Sequence, residues 1–365
     1  MKKQLNVASL FAGVGGIDLG FLQAKNDKFE YNLVIANEFD PFASITYRHN
    51  FQHQLVEGDI TKIFPSKLDK KNKNDKYEEL KFQMLREKID VLTAGFPCQA
   101  FSIAGDAKGF DDHRGNLFLN IIEYIKEIDK AHGKPRFLFL ENVKNLKSHD
   151  KGRTYSIIKI SLENLGYTIK ERILNTKDYT NIPQNRERIF IIGFANKNDA
   201  DKFDLFDEIQ KKKIKHTSDE WEAIVDKLLF DKVSDKYYYT SSKYPHYFNN
   251  DKINIENEIT EKLKFYQLRR GLYVRKNQNH VCPTLTANMG TGGHNVPLIL
   301  NSKGIRKLTP DETFILQGYP IGNGYELPKK YNDKVISDSK FYKQAGNSVS
   351  VPLIKFLAEE LLKIL

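Results

Sequence analysis

The sequence predicts an α/β fold with a doubly wound, mostly parallel sheet and a smaller, irregular second domain. Short apolar runs alternate with amphipathic segments of helix length up to about residue 195. The runs are rich in β-branched and aromatic residues, which is typical of strands buried on both faces. Strands that alternate with helices form a parallel sheet with helices on both sides. The five runs are LNVASLF, YNLVIANE, DVLTAGF, RFLFLEN and RIFIIGF.

The alternation stops near residue 200, where loops rich in Tyr, Asn, Lys and Gly begin. We therefore expect a first domain made of residues 1–198 and 335–365, and a second domain made of residues 199–334. The C-terminal segment predicts a helix that completes the first domain. Pro352 suits the first turn of this helix, and Asn347 or Ser348 can cap it.

The composition argues against a membrane protein, a secreted protein and a disulfide-rich protein. The 365-residue chain is 40% apolar, and it has no apolar run near the roughly 20 residues that cross a bilayer. The N-terminus lacks the pattern of a signal peptide, so we expect a cytoplasmic protein. Two cysteines, Cys98 and Cys282, and irregularly spaced histidines argue against a disulfide framework and against a metal site. A net charge of +10 suits a polyanionic partner such as nucleic acid.

A glycine-rich turn marks a candidate ligand site. In LFAGVGG, Gly13, Gly15 and Gly16 stand between the first predicted strand and a helix, where glycine lets the backbone approach a ligand closely. Glu38 ends the second predicted strand. Asp59, in the segment EGDI, ends a third strand that is not among the five apolar runs. An acid at such a strand end can bind ribose hydroxyls. Together these elements indicate a ligand that contains adenosine.

Reactive side chains occupy other predicted strand ends. Cys98 follows DVLTAGF and is either a core residue or a nucleophile. Glu141 follows RFLFL and either donates a proton, as a partly desolvated acid can, or caps a helix. Arg186 and Arg188, two apart at the entry to a strand, are expected on one face. There they hold a phosphate or carboxylate, or form structural ion pairs.

The ordered set of motifs resembles the cytosine-5 DNA methyltransferases of bacterial restriction–modification systems. The likeness covers nearly the whole chain and fades between about residues 200 and 282, the part with which this family recognises DNA. It implies the Rossmann-like fold of class I S-adenosylmethionine-dependent methyltransferases. The motifs are LFAGVGGIDLGF, ANEFD, GDI, GFPCQAFS, RGNLFLNI, LENVKNL, NIPQNRERIFIIGF, RKLTPDETFILQGYP and QAGNSVSVP.

This resemblance implies covalent catalysis. The Cys98 thiolate adds to carbon 6 of cytosine while Glu141 supplies a proton at ring nitrogen 3, so that carbon 5 can accept the methyl group of S-adenosylmethionine. S-adenosylhomocysteine is the product, and no metal takes part. Positive charge from Arg188 or the cofactor would lower the pKa of Cys98. The catalytic motifs correspond to Pro97, Cys98, Gln99, Glu141, Asn142, Arg186 and Arg188.

The resemblance also implies a cofactor pocket at the predicted strand ends. Glu38 binds the ribose, Phe39 and Ile60 flank the adenine, and Asp59 binds the adenine amino group. Asn347 is expected to steady the loop that carries Cys98. The implied pocket residues are Phe11, Ala12, Gly13, Gly15, Gly16, Glu38, Phe39, Asp59, Ile60, Pro97, Leu117, Asn347 and Ser348.

Double-stranded DNA is the expected partner. The target cytosine must leave the duplex, and the basic and aromatic loops of the second domain are expected to read the flanking bases. Thr284 is a candidate contact for the phosphate of the flipped nucleotide. We expect a monomer, used at the nucleoid, and a cognate endonuclease that acts independently. The implied DNA contacts are Ser102, Arg269, Arg270, Arg275, Thr284 and Leu285.

Three other functions stay open on the sequence alone. A tRNA cytosine methyltransferase shares the catalytic motifs and differs in its recognition region. A nicotinamide oxidoreductase is disfavoured because the glycine spacing does not match its fingerprint. A DNA-binding protein without activity is disfavoured because every catalytic residue is present.

Overall fold

The structure is a computed structural model that describes residues 2–67, 69, 74–97, 117–203, 207–248, 253–269, 271–277, 279–291 and 295–365. The chain divides into two compact units. The first unit comprises Met1–Leu174, Glu187–Lys212 and Ile354–Leu365, and the second comprises Asn175–Arg186 and Lys213–Leu353. These units differ from the expected domains, because 175–186 and 335–353 belong to the second unit and 199–212 to the first.

Within the described residues, seven strands form the sheet of the first unit, in the order β3-β2-β1-β4-β5-β7-β6. β1 to β5 pair in parallel, and β7 runs antiparallel to β5. Each of the five predicted apolar runs coincides with one strand, so the mostly parallel sheet is confirmed. The strands are β1 (Lys3–Leu10), β2 (Phe29–Glu38), β3 (Gln54–Glu57), β4 (Val91–Gly95), β5 (Phe137–Val143), β6 (Thr168–Asn175) and β7 (Glu187–Phe194).

Helices of the first unit pack against this sheet. In the longest of them, buried residues recur three and four apart, as in Phe118, Ile121, Ile122, Ile125 and Ile128, and they face the core. The helices are α1 (Gly16–Gln23), α2 (Pro41–Asn50), α3 (Ile60–Ile63), α4 (Asp75–Met84), α5 (Leu117–His132), α6 (Arg153–Asn164), α8 (Lys197–Lys202) and α9 (Asp207–Lys211). Two 3-10 helices, Lys144–Lys147 and His149–Gly152, follow β5.

The central strands explain how the fold places a site. β4 and β5 are buried along almost their whole length, as their continuous apolar sequences predict. The parallel strands β1, β2, β3, β4 and β5 all end at the same edge of the sheet. In open α/β sheets, ligands bind at this edge.

The second unit is built around a small antiparallel sheet with the order β11-β10-β8-β9. Its core is rich in tyrosine and isoleucine, including Tyr247, Tyr266 and Ile255. The strands are β8 (Phe265–Arg269), β9 (Tyr273–Asn277), β10 (Leu298–Leu300) and β11 (Ile305–Lys307), with a separate hairpin of β12 (Lys330–Tyr331) and β13 (Lys334–Val335). The helices are α7 (Thr176–Tyr179), α10 (Ser218–Leu228), α11 (Pro245–Phe248), α12 (Ile255–Glu258), α13 (Pro310–Ile315) and α14 (Asp338–Asn347), with 3-10 helices at Asp235–Tyr237 and Ala287–Gly290.

The C-terminal helix forms as predicted but begins later. α15 (Val351–Leu362) starts one residue before Pro352, whose fixed φ suits a first helical turn. Asn347 and Ser348 do not cap this helix, because Asn347 is the last residue of α14 and Ser348 follows it as the C-cap. In the described part of the chain, no helix is long and apolar enough to cross a membrane.

Candidate active site

The glycine-rich turn between β1 and α1 has the backbone conformation that its glycines predict. Gly13 and Gly15 have φ values of +59° and +79°, which favour glycine. A Cβ on Gly15 would lie 2.1 Å from Cε2 of Phe51, so a side chain cannot fit at this position. Phe11, at the start of the turn, also has a positive φ of 55°, which is uncommon for a residue with a side chain. Gly16 is the first residue of α1, and Ala12 N–H donates to the carbonyl of Asn37 at 3.0 Å.

Glu38 ends β2 with its carboxylate fixed by backbone groups. Its oxygens accept hydrogen bonds from the N–H groups of Gly13 (2.7 Å), Phe39 (2.9 Å) and Asp40 (2.7 Å). Burial raises the pKa of Glu38, and these N–H groups oppose the change. The Phe39 ring beside it is 72% exposed. An anchored carboxylate next to an uncovered aromatic ring fits a ribose diol and an adenine, so these residues could hold S-adenosylmethionine.

Asp59 lies just beyond β3 and caps a helix. Its Oδ1 accepts from the backbone N–H of Thr61 at 3.0 Å and from the Thr61 hydroxyl at 2.8 Å, which makes it the N-cap of α3. Ile60 is buried in the core behind it, and Leu117, half-buried, begins α5 against the same core. The binding of the adenine amino group by Asp59 therefore stays a prediction, and the capping role was not predicted.

Asn37 is a residue that the sequence analysis missed. Its Nδ2 donates to the carbonyl oxygens of Val56 (2.9 Å) and Gly58 (3.0 Å), and these bonds tie the end of β2 to the end of β3. The available signal was an amide directly after the apolar run LVIA of β2, because polar side chains buried at such a position are nearly always hydrogen-bonded.

The described residues stop at Pro97, one residue before the predicted nucleophile. Pro97 is described and exposed, whereas Cys98, Gln99 and Ser102 lie outside the described residues, as does Arg270. The other cysteine, Cys282, is fully buried, and burial raises the pKa of its thiol well above the usual value. A thiol that stays protonated is a poor nucleophile, so Cys282 is not a competing candidate.

Two residues at the end of β5 face the strand that leads to Pro97. Glu141 pairs with Gly95 across the parallel strands, and a Cβ on Gly95 would lie 3.8 Å from Glu141 Oε2. Asn142 is buried, and its Nδ2 donates to the carbonyl of Phe96 at 2.8 Å. The carboxyl group of Glu141 is therefore held beside Gly95, which precedes Cys98 by three residues in the sequence.

Glu141 forms an ion pair with Arg188. The guanidinium Nε lies 2.9 Å from Oε1, and Glu141 is only 7% exposed, as a residue at the end of a buried strand should be. Burial lowers the pKa of Arg188, and Glu141 opposes that change. The alternative that Glu141 caps a helix is not what the structure shows, because Glu141 lies within β5.

Arg186 does not share a face with Arg188, which corrects the prediction. β7 begins at Glu187, so Arg186 precedes the strand and belongs to the second unit. It is 1% exposed, and its guanidinium donates to the carbonyl oxygens of Leu285 (2.7 Å), Gly346 (3.2 Å) and Ser348. Arg186 therefore ties its own segment to two other backbone segments of the second unit, at 285 and at 346–348.

Two glutamines that were not predicted as site residues also bind backbone carbonyl groups within the second unit. We call these contacts, together with those of Arg186, the junction. Gln184 donates to the carbonyl of Leu316 at 2.6 Å, and Gln317 donates to that of Ala345 at 2.9 Å. A Cβ on Gly346 would lie 2.1 Å from the carbonyl carbon of Thr286, so the two backbones touch here. No periodicity marks such residues, since their partners are carbonyl groups distant in sequence.

Two residues of the second unit predicted to contact DNA contribute to this junction. The Thr284 hydroxyl donates to the carbonyl of Asn185 at 2.6 Å. Leu285 is 1% exposed, and its carbonyl accepts from Arg186. Its side chain therefore packs inside the unit, and its assignment as a DNA contact stays a prediction. Asn347 is exposed beside the junction, whereas Ser348 is buried.

Arg269 and Arg275 lie on the ribbon of β8 and β9, which forms one edge of the small four-stranded sheet. Gln267 pairs with Arg275, and Arg269 pairs with Tyr273, so these four side chains share one face. Tyr273 and Arg275 are exposed on the edge strand β9. Within the described residues, the only hydrogen bond shown for the Arg269 side chain is to Gln267, at 3.1 Å.

Comparison with known proteins finds relatives along the whole chain. The profile of the family described as C-5 cytosine-specific DNA methylase matches residues 5–363. Type II methyltransferase M.Bsp6I from Bacillus sp. (strain RFL6) is 44% identical over 361 residues, which cover 98% of this chain and 99% of that protein. Type II methyltransferase M.HpaII from Haemophilus parainfluenzae is 34% identical over 372 residues, which cover 100% and 90%.

Solved structures share the fold. The S. pombe Dnmt2 methyltransferase superposes with a TM-score of 0.63 at 16% identity and covers 99% of both chains. A putative DNA modification methyltransferase encoded within an E. coli prophage gives a TM-score of 0.65 at 22% identity and covers 99% of both chains. The predicted class I methyltransferase fold is thereby confirmed.

Proposed function

Because this chain belongs to the C-5 cytosine-specific DNA methylase family, it transfers methyl groups to carbon 5 of cytosine in DNA, and we propose how its residues divide that work. The family implies S-adenosylmethionine as the methyl donor. The observation that carries the proposal is the pairing of Gly95 with Glu141, which brings a buried carboxyl group to the strand that leads to Cys98.

In this proposal, the first unit holds the cofactor at the ends of β1, β2 and β3. Gly13 and Gly15 leave room for close approach of the ligand to the backbone. Glu38 receives the ribose hydroxyls, and the exposed ring of Phe39 packs on the adenine. Asp59 and Ile60 complete the adenine pocket, with Leu117 on its other side. S-adenosylmethionine supplies, when bound, a methyl group on a positively charged sulfur.

The Cys98 thiolate starts the proposed reaction by forming a bond to carbon 6 of the flipped cytosine. Glu141 gives a proton to ring nitrogen 3, so the electrons of the ring collect at carbon 5 and take up the methyl group. A base then removes the proton from carbon 5, Cys98 leaves as a thiolate when the double bond to carbon 6 reforms, and ring nitrogen 3 returns its proton to Glu141. Asn142 holds the carbonyl of Phe96, two residues before Cys98, and thereby positions the start of the Pro97–Cys98 segment.

Arg188 has a supporting part in this proposal. Its guanidinium orients the carboxyl group of Glu141 through the 2.9 Å contact and favours a negative charge there after the proton has left. Arg186 has a different part, since its donors are committed to the carbonyl groups of Leu285, Gly346 and Ser348. It stabilises the second unit rather than the reacting base.

The second unit is the proposed reader of the DNA sequence. The ribbon of β8 and β9 lies at the edge of the small sheet, and its face with Arg269, Tyr273 and Arg275 offers guanidinium donors and an aromatic ring to the phosphates and bases of DNA. Thr284 approaches the phosphate of the flipped nucleotide. The relatives are named Type II methyltransferases, which supports a restriction–modification role alongside an independent endonuclease. We also propose that the enzyme acts as a monomer in the cytoplasm, at the nucleoid.

The test uses duplex DNA that carries 5-fluorocytosine at the methylated position, which bisulfite sequencing of DNA from expressing cells identifies. Fluorine blocks the loss of the carbon 5 substituent, so wild-type protein should remain covalently attached in denaturing gels. Cys98→Ser should not form the complex, and the matched control Cys282→Ser should still form it. A covalent complex with Cys98→Ser, or methylation of tRNA in place of DNA, would contradict the proposal.

A further inference from the structure

A hydrogen-bonded chain of three side chains runs behind the glycine-rich turn. The Tyr47 hydroxyl donates to Oδ2 of Asp18 at 2.6 Å and lies 2.6 Å from Nε2 of His53. Because that hydroxyl has one proton, which goes to Asp18, His53 donates through Nε2–H. Asp18 and Tyr47 are both 0% exposed. The chain links α1, α2 and the segment before β3.

An aromatic cluster continues this chain to the turn itself. Phe51 stacks on Tyr47 with ring centroids 4.5 Å apart and an interplanar angle of 29°, and His53 meets both rings edge-on. The Phe51 ring also fills the space where a Cβ on Gly15 would lie, at 2.1 Å. Gly15 ends the turn, and Asp18 lies in the first helical turn after it. The same group of side chains therefore contacts the end of the glycine-rich turn and the start of α1.

The buried carboxyl group is costly to keep. Burial raises the pKa of Asp18 from 3.8 to about 6, although Tyr47 and Ser9 favour the charged form. Among the described residues, Oδ1 of Asp18 has no hydrogen-bond partner. A leucine or methionine would fill such a space without the desolvation of a carboxyl group. Simple packing of the core therefore does not account for this residue.

We propose that Asp18, Tyr47, Phe51 and His53 form a positioning group that holds the glycine-rich turn in the shape that receives S-adenosylmethionine. The proposal rests on the proposed function, because it takes the turn as part of the cofactor site. Tyr47 is its centre, since it both bonds to Asp18 and stacks on Phe51. Loss of its hydroxyl frees α1 to shift against α2, and Gly13 N–H and Glu38 lose their alignment.

The experiment compares Tyr47→Phe with a matched control, Tyr124→Phe. Tyr124 is a buried tyrosine of the same unit whose hydroxyl donates to the carbonyl of Met84 at 3.1 Å, so both variants lose one buried hydroxyl. We measure the Kd of S-adenosylhomocysteine by calorimetry without DNA, the Tm, and the KM and kcat of methyl transfer. Tyr47→Phe should raise that Kd about tenfold and the KM for S-adenosylmethionine similarly, with kcat within about threefold. The control should stay within about twofold in Kd at a comparable loss of Tm.

A Tyr47→Phe protein whose Kd stays within about twofold of wild type would overturn the inference. If Tyr47→Phe does not fold, His53→Leu replaces it and should raise the Kd at least about threefold, with His53→Gln restoring binding through its amide N–H. An unchanged Kd for His53→Leu would overturn the inference equally. Wild-type protein that binds no S-adenosylhomocysteine would instead contradict the proposed function.

Discussion

The Nε atom of Arg188 lies 2.9 Å from Oε1 of Glu141, and both side chains are almost removed from solvent. A buried cation beside a buried acid has two effects: it keeps the acid in one orientation, and it favours the charge that remains after the acid has given up a proton. In the proposed reaction this charge appears when Glu141 protonates the ring. The pair therefore links positioning to proton transfer.

Replacement of Glu141 by Gln tests proton transfer directly. The amide keeps the size of the side chain but gives no proton, so single-turnover methyl transfer should fall by about 100-fold or more. Binding of S-adenosylhomocysteine should stay within a few-fold of wild type. An equal loss of cofactor binding would show that Glu141 is a structural carboxyl group.

The two arginines of the Gln-x-Arg-x-Arg motif should respond differently to Lys. Arg186→Lys cannot reach the carbonyl groups of Leu285, Gly346 and Ser348 together, so the free energy of unfolding should fall by about 3 kcal/mol in urea. Arg188→Lys keeps a cation near Glu141 and should mainly lower kcat. If Arg186→Lys and Arg188→Lys lower the free energy of unfolding equally, the proposal that Arg186 stabilises the second unit while Arg188 acts on Glu141 is wrong.

Asn142→Asp tests the contact that holds the end of β4. The Asn142 amide donates to the carbonyl of Phe96, whereas a carboxylate would face that oxygen without a proton. The free energy of unfolding should fall by about 2 kcal/mol, because a buried acceptor loses its donor. Asn145→Asp, at an exposed position nearby, is the control and should change little.

The pH dependence of stability should carry a contribution from Asp18. Burial raises the pKa of Asp18 to about 6 in the folded protein from the usual 3.8 of a solvated aspartate, so the folded state binds more protons between these values. The stabilisation is present below pH 3.8 and is lost as pH rises to about 6, on the order of 3 kcal/mol in all.

Asp18→Asn should remove this contribution, since an amide does not titrate and can still accept from Tyr47. Urea unfolding of both proteins between pH 4 and 7 measures the difference, with Asp75→Asn as a control at an exposed carboxyl. A constant difference between wild type and Asp18→Asn across that range would contradict the assignment.

Sequence specificity should move with the second unit. Residues 213–300 lie wholly within it and include the ribbon, so their exchange for those of a relative with another target should transfer that target. Arg275→Ala should weaken DNA binding evenly and lower the salt slope by about one, as a phosphate contact does. Lys276→Ala, on the opposite face and paired with Glu258, is the control. Methylation profiles over random DNA test the graft, and an unchanged site would place recognition elsewhere.

The parts of the fold that sequence predicts are those whose burial leaves a pattern. β4 and β5 are covered on both faces and read as continuous apolar runs. β6, at the end of the sheet, is half-exposed along most of its length and carries TIKERILN, so no apolar run marks it. Glu141 could be located because it follows such a run directly.

The residues that escaped prediction act through backbone carbonyl groups. Arg186 was expected beside Arg188 from spacing along a strand, but the strand begins between them at Glu187. Gln184 and Arg186 bind carbonyl groups more than 90 residues away in sequence, and any residue type offers such a carbonyl. No local pattern can therefore reveal these contacts, and the domain boundary at 175–186 was missed for the same reason.

After Lys212 the chain leaves the first unit for the second time and returns to it at Ile354, whose side chain packs where a Cβ on Gly20 would lie. On the ribosome, α1 therefore emerges long before the helix that covers it. Domains generally fold as units during synthesis, N-terminal part first. Here the second unit is complete in the nascent chain before the first, so each molecule stays without a finished methyl-transfer unit until translation has passed residue 353.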